Sequence, residues 1–494
     1  MRPHPLRTLL AARHVLGAIF LLLLAACGGP SEPPPEQLSA GASQEVHDGP
    51  NILFVSLDTL RADHLGSYGA TGDPTPRLDA LAAAGVRFAA ASCPMPVTRP
   101  SHFTMLTSRY PRDHGSLSNA SPLPEGVRTV TEELAEAGYR TAAFTGVKLL
   151  APGSGADRGF QVFEAPDRGE DRSAEEVVTA AERWLGEQTG AAPFFLWVHM
   201  YDPHMPYAPP APYAVAPPVG LEEELPYFSR PLLKPLLERT DGDVPREVLD
   251  WALAQYDGEV RYVDHWVGRL LDRLEAAGMS EETLVVVTSD HGECFSNGIY
   301  FEHGTCLYEG ALHVPLILRL PATASGRWAP GEVVDRPVDL LALAPTMLEV
   351  AGLPVPEDFG GTSLLAPPPE DSTRDSAAYF QNPRYDSGAR ERRMERRERL
   401  SSVAGDELRP VFEGEVVGVR TGRWKLIVGQ HGLQKLFDLE ADPAELQDVS
   451  AEHPEVLDDL RRRIKAWIVA HPVAEGGPEE IDEELEKTLR SLGY

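Results

Sequence analysis

Basic residues are scarce relative to acidic ones in this chain: 45 Lys and Arg stand against 75 Asp and Glu, a formal charge of −30 with a pI near 4.9. An acidic surface of that size repels phosphate backbones at long range, which argues against nucleic acid as a partner. Cysteine is nearly missing, four among 494 residues, so a disulfide-stapled miniprotein is excluded. No apolar run reaches the roughly 20 residues needed to cross a bilayer; the run Val15 to Ala26 is clearly shorter. Internal repeats are absent as well. What is present is near the globular average, 42% hydrophobic and 24% charged. The length suits about three domain-sized units, or one large α/β domain with an appendage.

The first residues read as an export signal. Arg2, Arg7 and Arg13 form a positive n-region, and Leu24-Ala25-Ala26 closes the apolar run just before Cys27 and two glycines. Small residues before a cysteine resemble the lipobox of bacterial lipoproteins. The resemblance implies a signal peptide over residues 1–26 and a Cys27 that is acylated as the mature N-terminus. Two or three acyl chains hold a protein stably on a membrane face, since each buried methylene contributes about 0.8 kcal/mol. Residues 27–49, rich in Pro, Ser, Glu and Gly, then read as a flexible tether. The expected address is the cell envelope outside the cytoplasm, on a periplasmic or outer-membrane face. Of the other cysteines, Cys294 and Cys306 flank one short loop and Cys93 stands alone. Two readings of the pair stay open, a bridge in an oxidising compartment or two buried thiols.

From residue 51 onward strand and helix signals alternate. Residues 51–57 are a continuous β-rich run after Gly49-Pro50, as expected of a strand buried on both faces. Residues 140–145, 194–199 and 283–288 read as further strands, and residues 77–84, 129–137, 175–188 and 244–277 as helical. This rhythm predicts an α/β fold over residues 50–365, with a mostly parallel sheet sandwiched by helices. Ligands of such sheets bind at the carboxyl ends of the strands. Three runs end there in polar residues: Asp58; His199 with Asp202 and His204; and Ser289-Asp290-His291. After residue 366 the character changes. The charge-dense run Arg390 to Arg399 reads as an exposed helix or loop. Strand candidates at 416–420, 424–428 and 435–438, then a helix over 454–468, predict a small antiparallel α+β subdomain within 366–470. Residues 471–494 read as an acidic tail.

The segment Val97-Thr98-Arg99-Pro100-Ser101-His102 runs into Met105-Leu106-Thr107-Ser108. Together with Leu57-Asp58-Thr59-Leu60-Arg61-Ala62-Asp63-His64, Thr75-Pro76-Arg77-Leu78-Asp79, Asp202-Pro203-His204 and Thr288-Ser289-Asp290-His291-Gly292-Glu293, it resembles the sulfatase family of the alkaline phosphatase superfamily. Agreement continues through Val338-Asp339-Leu340 and Leu436-Phe437-Asp438-Leu439, so it spans most of residues 51–450. The resemblance implies an alkaline-phosphatase-like core. One departure stands out. Formylglycine sulfatases open their Cys-x-Pro-x-Arg motif with Cys or Ser, whereas here the head is Thr98 and the arginine position is His102. Threonine cannot become formylglycine, and Cys93 lacks the Pro and Arg that the motif requires. The chain is thus more similar to the threonine-nucleophile members, among them nucleotide pyrophosphatases and phosphoethanolamine transferases. Thr98 also suits the N-cap of a helix, a position compatible with attack on an anionic ester.

A threonine hydroxyl is a poor nucleophile at neutral pH and needs a metal or an adjacent base. Asp58, Thr98, Asp290 and His291 form the implied ligand set. Its imidazole favours zinc or manganese over calcium, as does Thr59, which stands where calcium sulfatases carry a second Asp. Asp202, His204 and His303 form a second group. They read either as ligands of a second metal, or as a pair, His204 and His303, that binds ester oxygens and protonates the leaving group. The one-metal reading is preferred, with Asp202 kept as an alternative ligand. His64, His114 and His199 read as structural, and His102 is not assigned. The expected activity is hydrolysis or transfer on a phosphate or sulfate ester of a small molecule, lipid or glycan, through Thr98. A threonine ester needs a second attack at the central atom, which favours phosphorus over sulfur. An arylsulfatase-like enzyme without formylglycine and a catalytically silent envelope scaffold are the alternatives.

Overall fold

The computed structural model describes residues 48–166, 171–188, 192–229, 232, 245–295, 301–304, 306–324, 326–367, 376–383, 415–429 and 433–473, all within the unit Val46–Tyr494. Cys27, nearly all of the tether, the run 390–399 and residues 474–494 lie outside the described residues.

Strands β1 (Asn51–Leu57), β2 (Val86–Phe88), β3 (Ala91–Ser92), β4 (Arg140–Thr145), β5 (Val162–Glu164), β6 (Phe194–Met200), β7 (Thr283–Ser289), β8 (Leu316–Arg319), β9 (Glu332–Val334) and β10 (Val338–Asp339) belong to the first part of the chain. Eight of them form one sheet in the order β5-β4-β6-β1-β7-β8-β2-β9, while β3 and β10 pair separately. Every pairing in the large sheet is parallel except those of β8, which runs against both neighbours. β1 is therefore a central strand, held by β6 on one side and β7 on the other.

Alternation along the strands divides the interior into two cores. Ile52 and Phe54 of β1, Phe195 and Trp197 of β6, and Leu284 and Val286 of β7 face one core, which also holds Phe103 and Leu106 of helix Thr98–Thr107. Leu53, Val55, Leu196, Val198, Val285 and Val287 face the other, against helices Ala174–Gly186 and Arg246–Ala276. That is why these strands read as unbroken apolar runs: each face meets a layer of helices. Full burial of one such Phe or Leu contributes about 1.5 to 3 kcal/mol. The sequence-based strands and helices appear within two or three residues of their expected bounds.

Strands β11 (Ala378–Gln381), β12 (Val417–Arg420), β13 (Trp424–Val428) and β14 (Gln434–Asp438) form a four-stranded antiparallel sheet, on which helix Pro454–Ala470 packs through Leu457, Leu460, Ile464 and Trp467. The fold is α/β with a large, mostly parallel sheet and this small C-terminal antiparallel one. Among the described residues no helix is long and apolar enough to cross a membrane.

Candidate active site

Three adjacent strands, β6, β1 and β7, deliver their carboxyl ends to one point. Asp58 follows β1 directly, its N–H donating to the Met200 carbonyl at 3.0 Å and so extending the ladder by one residue. Asp290 and His291 follow β7, and all three residues are fully buried. Helix Thr98–Thr107 begins at the same point. Val97, not Thr98, is the N-cap; Thr98 is the first helical residue and its hydroxyl caps nothing. The expectation of Thr98 as N-cap is corrected by one position, and this turns its hydroxyl toward Asp58, whose pKa it lowers without making a hydrogen bond of normal geometry.

The donors converge. His291 Nε2 lies 3.8 Å from Asp58 Oδ1 and 3.4 Å from Asp290 Oδ2. One ligand atom from each of Asp58, Asp290 and His291 lies within 4.8 Å of the others. Asp290 Oδ1 is occupied by the N–H groups of His291 at 2.8 Å and Thr59 at 3.3 Å, which leaves Oδ2 directed inward. To make that contact Thr59 takes a left-handed φ of 55°, costly for a β-branched residue. Ser101 Oγ donates to the Asp290 carbonyl at 2.6 Å and ties helix Thr98–Thr107 to the end of β7.

Both Asp58 oxygens, Thr98 Oγ1, Asp290 Oδ2 and His291 Nε2 are buried with no hydrogen-bond partner among the described residues. Burial pushes the Asp58 carboxyl well above its usual pKa, and the charges of Asp290 and Glu293 push it further. Burial raises Asp290 as well and pulls His291 well below the ordinary histidine range, with His303 adding to the pull. Several unsatisfied polar atoms in one buried spot cost too much free energy to be structural. Donors on one ion at bond lengths of about 2.1 Å sit roughly 3 to 4 Å apart, as His291 Nε2 does from the Asp58 and Asp290 oxygens, so Asp58, Asp290 and His291 fit a divalent cation, with the Thr98 hydroxyl turned toward Asp58.

His303 stacks on His291 at 4.6 Å between ring centroids, and its Nδ1 meets Glu293 Oε1 at 3.2 Å. His204 lies edge-on to His303 at 5.3 Å; its Nδ1 is 2.6 Å from the Met205 carbonyl and 2.7 Å from the Tyr201 hydroxyl. Three imidazoles therefore line one side of the donor cluster. Asp202 is not with them. Residues 201–204 form a turn, closed by His204 N–H to Tyr201 O at 2.8 Å, so the extended geometry that would have aligned Asp202 with His204 does not exist. Asp202 Oδ2 instead accepts the N–H of Ala174 at 2.8 Å, at the start of helix Ala174–Gly186, and burial raises its carboxyl to about 6. Its electrostatic neighbours are Glu259, Glu176 and Asp171.

Comparison with known proteins gives the family and the fold. The sulfatase family profile matches residues 50–353. The chain belongs to the sulfatase family. It is 23% identical to an arylsulfatase of Clostridium perfringens, over 84% of this chain and 93% of that one, and 25% identical to a choline-sulfatase of Rhizobium meliloti, over 82% and 83%. Its fold is similar to a solved structure in complex with its substrate D-glucosamine-2-N,6-O-disulfate (TM-score 0.67, 21% identity, 88% of this chain and 100% of that one). It is also similar to the phosphonate monoester hydrolase of Agrobacterium radiobacter (TM-score 0.65, 23% identity, 85% and 96%). Membership makes the chain a metal-dependent ester hydrolase and not a silent scaffold.

Two side chains beside this sulfatase-family site were given no chemical role from the sequence. Glu293, fully buried, meets His303 and accepts from the Tyr207 hydroxyl at 3.3 Å; it closes the Ser-Asp-His-Gly-Glu run, and that adjacency was the available signal. His199, set aside as structural, reaches within 3.6 Å of Asp58 Oδ2. Its signal was a histidine ending an otherwise apolar strand. His64 and His114 do serve structure: His64 pairs with Asp257 at 2.7 Å, and His114 lies 3.2 Å from the Pro100 carbonyl. Cys294 and Cys306 are disulfide-bonded, while Cys93 is a buried free thiol.

Proposed function

We propose that this chain hydrolyses, or transfers from, a phosphorus ester outside the cytoplasm, with Thr98 as the nucleophile. The observation that carries the proposal is the unpaired Thr98 hydroxyl among the unpaired donors of Asp58, Asp290 and His291. A divalent cation held by those donors would act as a Lewis acid on the threonine oxygen, whose proton would pass to water. Thr98 Oγ1 then attacks phosphorus in line, and the new O–P bond forms as the bond to the leaving oxygen breaks. Amide dipoles at the start of helix Thr98–Thr107 favour the negative charge on the other ester oxygens. His303, oriented by Glu293, and His204, oriented by the Met205 carbonyl, are suited to protonate the leaving oxygen. Water or an acceptor alcohol next attacks phosphorus and releases Thr98.

The His291 imidazole and the presence of Thr59 in place of a second aspartate support zinc or manganese over calcium. Buried Cys93, whose Sγ contacts the Ala311 carbonyl, offers no formylglycine precursor. The Agrobacterium radiobacter relative, a phosphonate monoester hydrolase, supports phosphorus; the Clostridium perfringens arylsulfatase supports sulfur. Aryl phosphate, phosphonate and sulfate esters assayed side by side separate the two, with phosphorus esters expected to turn over fastest. Intact-mass spectrometry after quenching is expected to show a phosphoryl adduct on the Thr98 peptide, absent in Thr98→Ala. Undiminished turnover in Thr98→Ala defeats the nucleophile, and a trapped sulfate adduct replaces phosphorus by sulfur. Acyl anchoring through Cys27 is part of the same proposal. It gains support from the Cys294–Cys306 bond, a feature of oxidising compartments. Labelling with radioactive palmitate that persists in Cys27→Ala rules it out.

A further inference from the structure

His303 belongs to no strand or helix, yet its imidazole must keep one place beside the donor cluster. After β7 the chain runs out through Gly292 and Glu293 and comes back beside them as Phe301, Glu302 and His303. The outgoing arm is anchored: Gly292 N–H donates to the Ala311 carbonyl at 2.8 Å, and Arg61 Nη1 donates to the Glu293 carbonyl at 2.9 Å. The returning arm meets it at an isolated bridge and not in a strand pair. Cys294 N–H donates to the Glu302 carbonyl at 2.9 Å, and Phe301 N–H donates to the Cys294 carbonyl at 2.7 Å. At that bridge Phe301 takes a left-handed φ of 57°, unfavourable for a bulky residue, and such a conformation persists only where its surroundings enforce it.

A covalent bond lies at this point. Cys294, the neighbour of Glu293 in sequence, is bonded to Cys306, and Cys306 N–H donates to the His303 carbonyl at 2.8 Å. His303 Nδ1 in turn meets Glu293 Oε1 at 3.2 Å. The Glu293–Cys294 peptide, the disulfide, the Cys306 hydrogen bond and the His303–Glu293 contact thus close a ring, and all of its side chains are buried. This ring holds His303 by its backbone and by its imidazole at once. The reach of the bond is local: it joins residues 12 apart, and in the chain-entropy account a short loop gains less stability than a long one. What it controls closely is placement. A reacting group displaced by about 1 Å loses about a hundredfold in rate.

We propose that the Cys294–Cys306 disulfide is a positioning element of the active site, which holds the His303 imidazole against the leaving oxygen of the ester. The bond takes no part in the chemistry and acts only through His303, so the enzyme is fully active only with both cysteines oxidised. The proposal rests on the reading of His303 as a group at the leaving oxygen. The test compares full-chain wild type, Cys294→Ala/Cys306→Ala, His303→Ala and the triple variant on the phenyl and 4-nitrophenyl esters of whichever acid, phosphoric or sulfuric, wild type releases. Phenolate is the poorer leaving group and depends more on a group beside the departing oxygen. His303→Ala is expected to lower kcat/KM about a hundredfold on the phenyl ester and only a few-fold on the 4-nitrophenyl ester. Opening the disulfide is expected to reproduce that inequality, about tenfold on the phenyl ester, with bound metal by elemental analysis unchanged. In the triple variant it is expected to add nothing to the loss from His303→Ala, because both changes remove one interaction. Equal losses on the two esters, losses that multiply with those of His303→Ala, or loss of metal in the disulfide variant each overturn the proposal and leave a bond that serves the fold alone. If His303→Ala itself shows no inequality, the reading of His303 fails and the proposal with it. Where the double variant folds poorly, wild type is opened with a trialkylphosphine, which becomes the phosphine oxide as the disulfide yields two thiols. The phenyl ester rate is then expected to fall with the thiols counted by alkylation and mass spectrometry and to return on reoxidation; a rate that ignores that count overturns the proposal.

Discussion

Two groups of buried charges in this molecule are built on opposite plans. At the carboxyl ends of β1 and β7, Asp58 and Asp290 meet with donor atoms left unpaired. At the junction between the small antiparallel sheet and the large domain, Lys425 is fully buried yet lies 3.0 Å from Glu309 and 2.8 Å from Glu445, and Arg420 reaches Glu309 at 3.0 Å. Although burial opposes it, Arg420 and Lys425 draw the Glu309 carboxyl down to about 2. The junction group supplies its own counter-charges, whereas the site group carries like charges that only an added cation offsets. Burial alone therefore does not mark function; the lack of an internal partner does.

The largest effect that tests this contrast is Asp290→Ala. Turnover is expected to fall by several powers of ten, each equal to about 1.4 kcal/mol of barrier, together with bound metal measured by elemental analysis. Metal-free Asp290→Asn, which keeps an oxygen for the N–H groups of His291 and Thr59, is nevertheless expected to melt no lower than metal-free wild type, since Asp58 loses a repelling neighbour. A much lower melt would show that the site is as self-sufficient as the junction. Lys425→Met comes next. Removing one partner of a buried ion group costs about 3 to 5 kcal/mol, to be read from denaturant midpoints, with metal content per folded chain unchanged. The smallest effect concerns pH. Burial raises the Glu445 carboxyl from 4.5 to about 7, so between those values the folded chain binds a proton that the unfolded chain releases. Stability from this residue declines as pH rises through that window, and Glu445→Gln is expected to flatten the decline in melting temperature between pH 5 and pH 7.

The site was legible where strand ends deliver it. Asp58, Asp290 and His291 close apolar runs, and a parallel sheet gathers such ends, so position along the chain was enough to name them. Asp202 was misread because its turn reverses the direction that an extended segment would keep. The approach of His199 to Asp58 was not legible for a different reason: its contact to Ser56 spans 143 residues, and nothing local announces which strand will lie beside β6. Strands β2, β5 and β9 have three residues each, too few for a periodic pattern, and escaped notice. The antiparallel sheet was readable because its strands follow one another closely along the chain.

The place of β1 at the centre of the sheet has a consequence for how the molecule comes into being. The first of the described strands cannot be flanked until β6 and then β7 exist; the contact between Leu57 and Ser289 spans 232 residues. Contacts of that span are slow to form. Asp58 therefore emerges long before Asp290 and His291 can join it, and a partly made chain holds only a fraction of the metal ligands. Metal capture is postponed to the last stage of assembly, when more than half of the polypeptide is already available to fold.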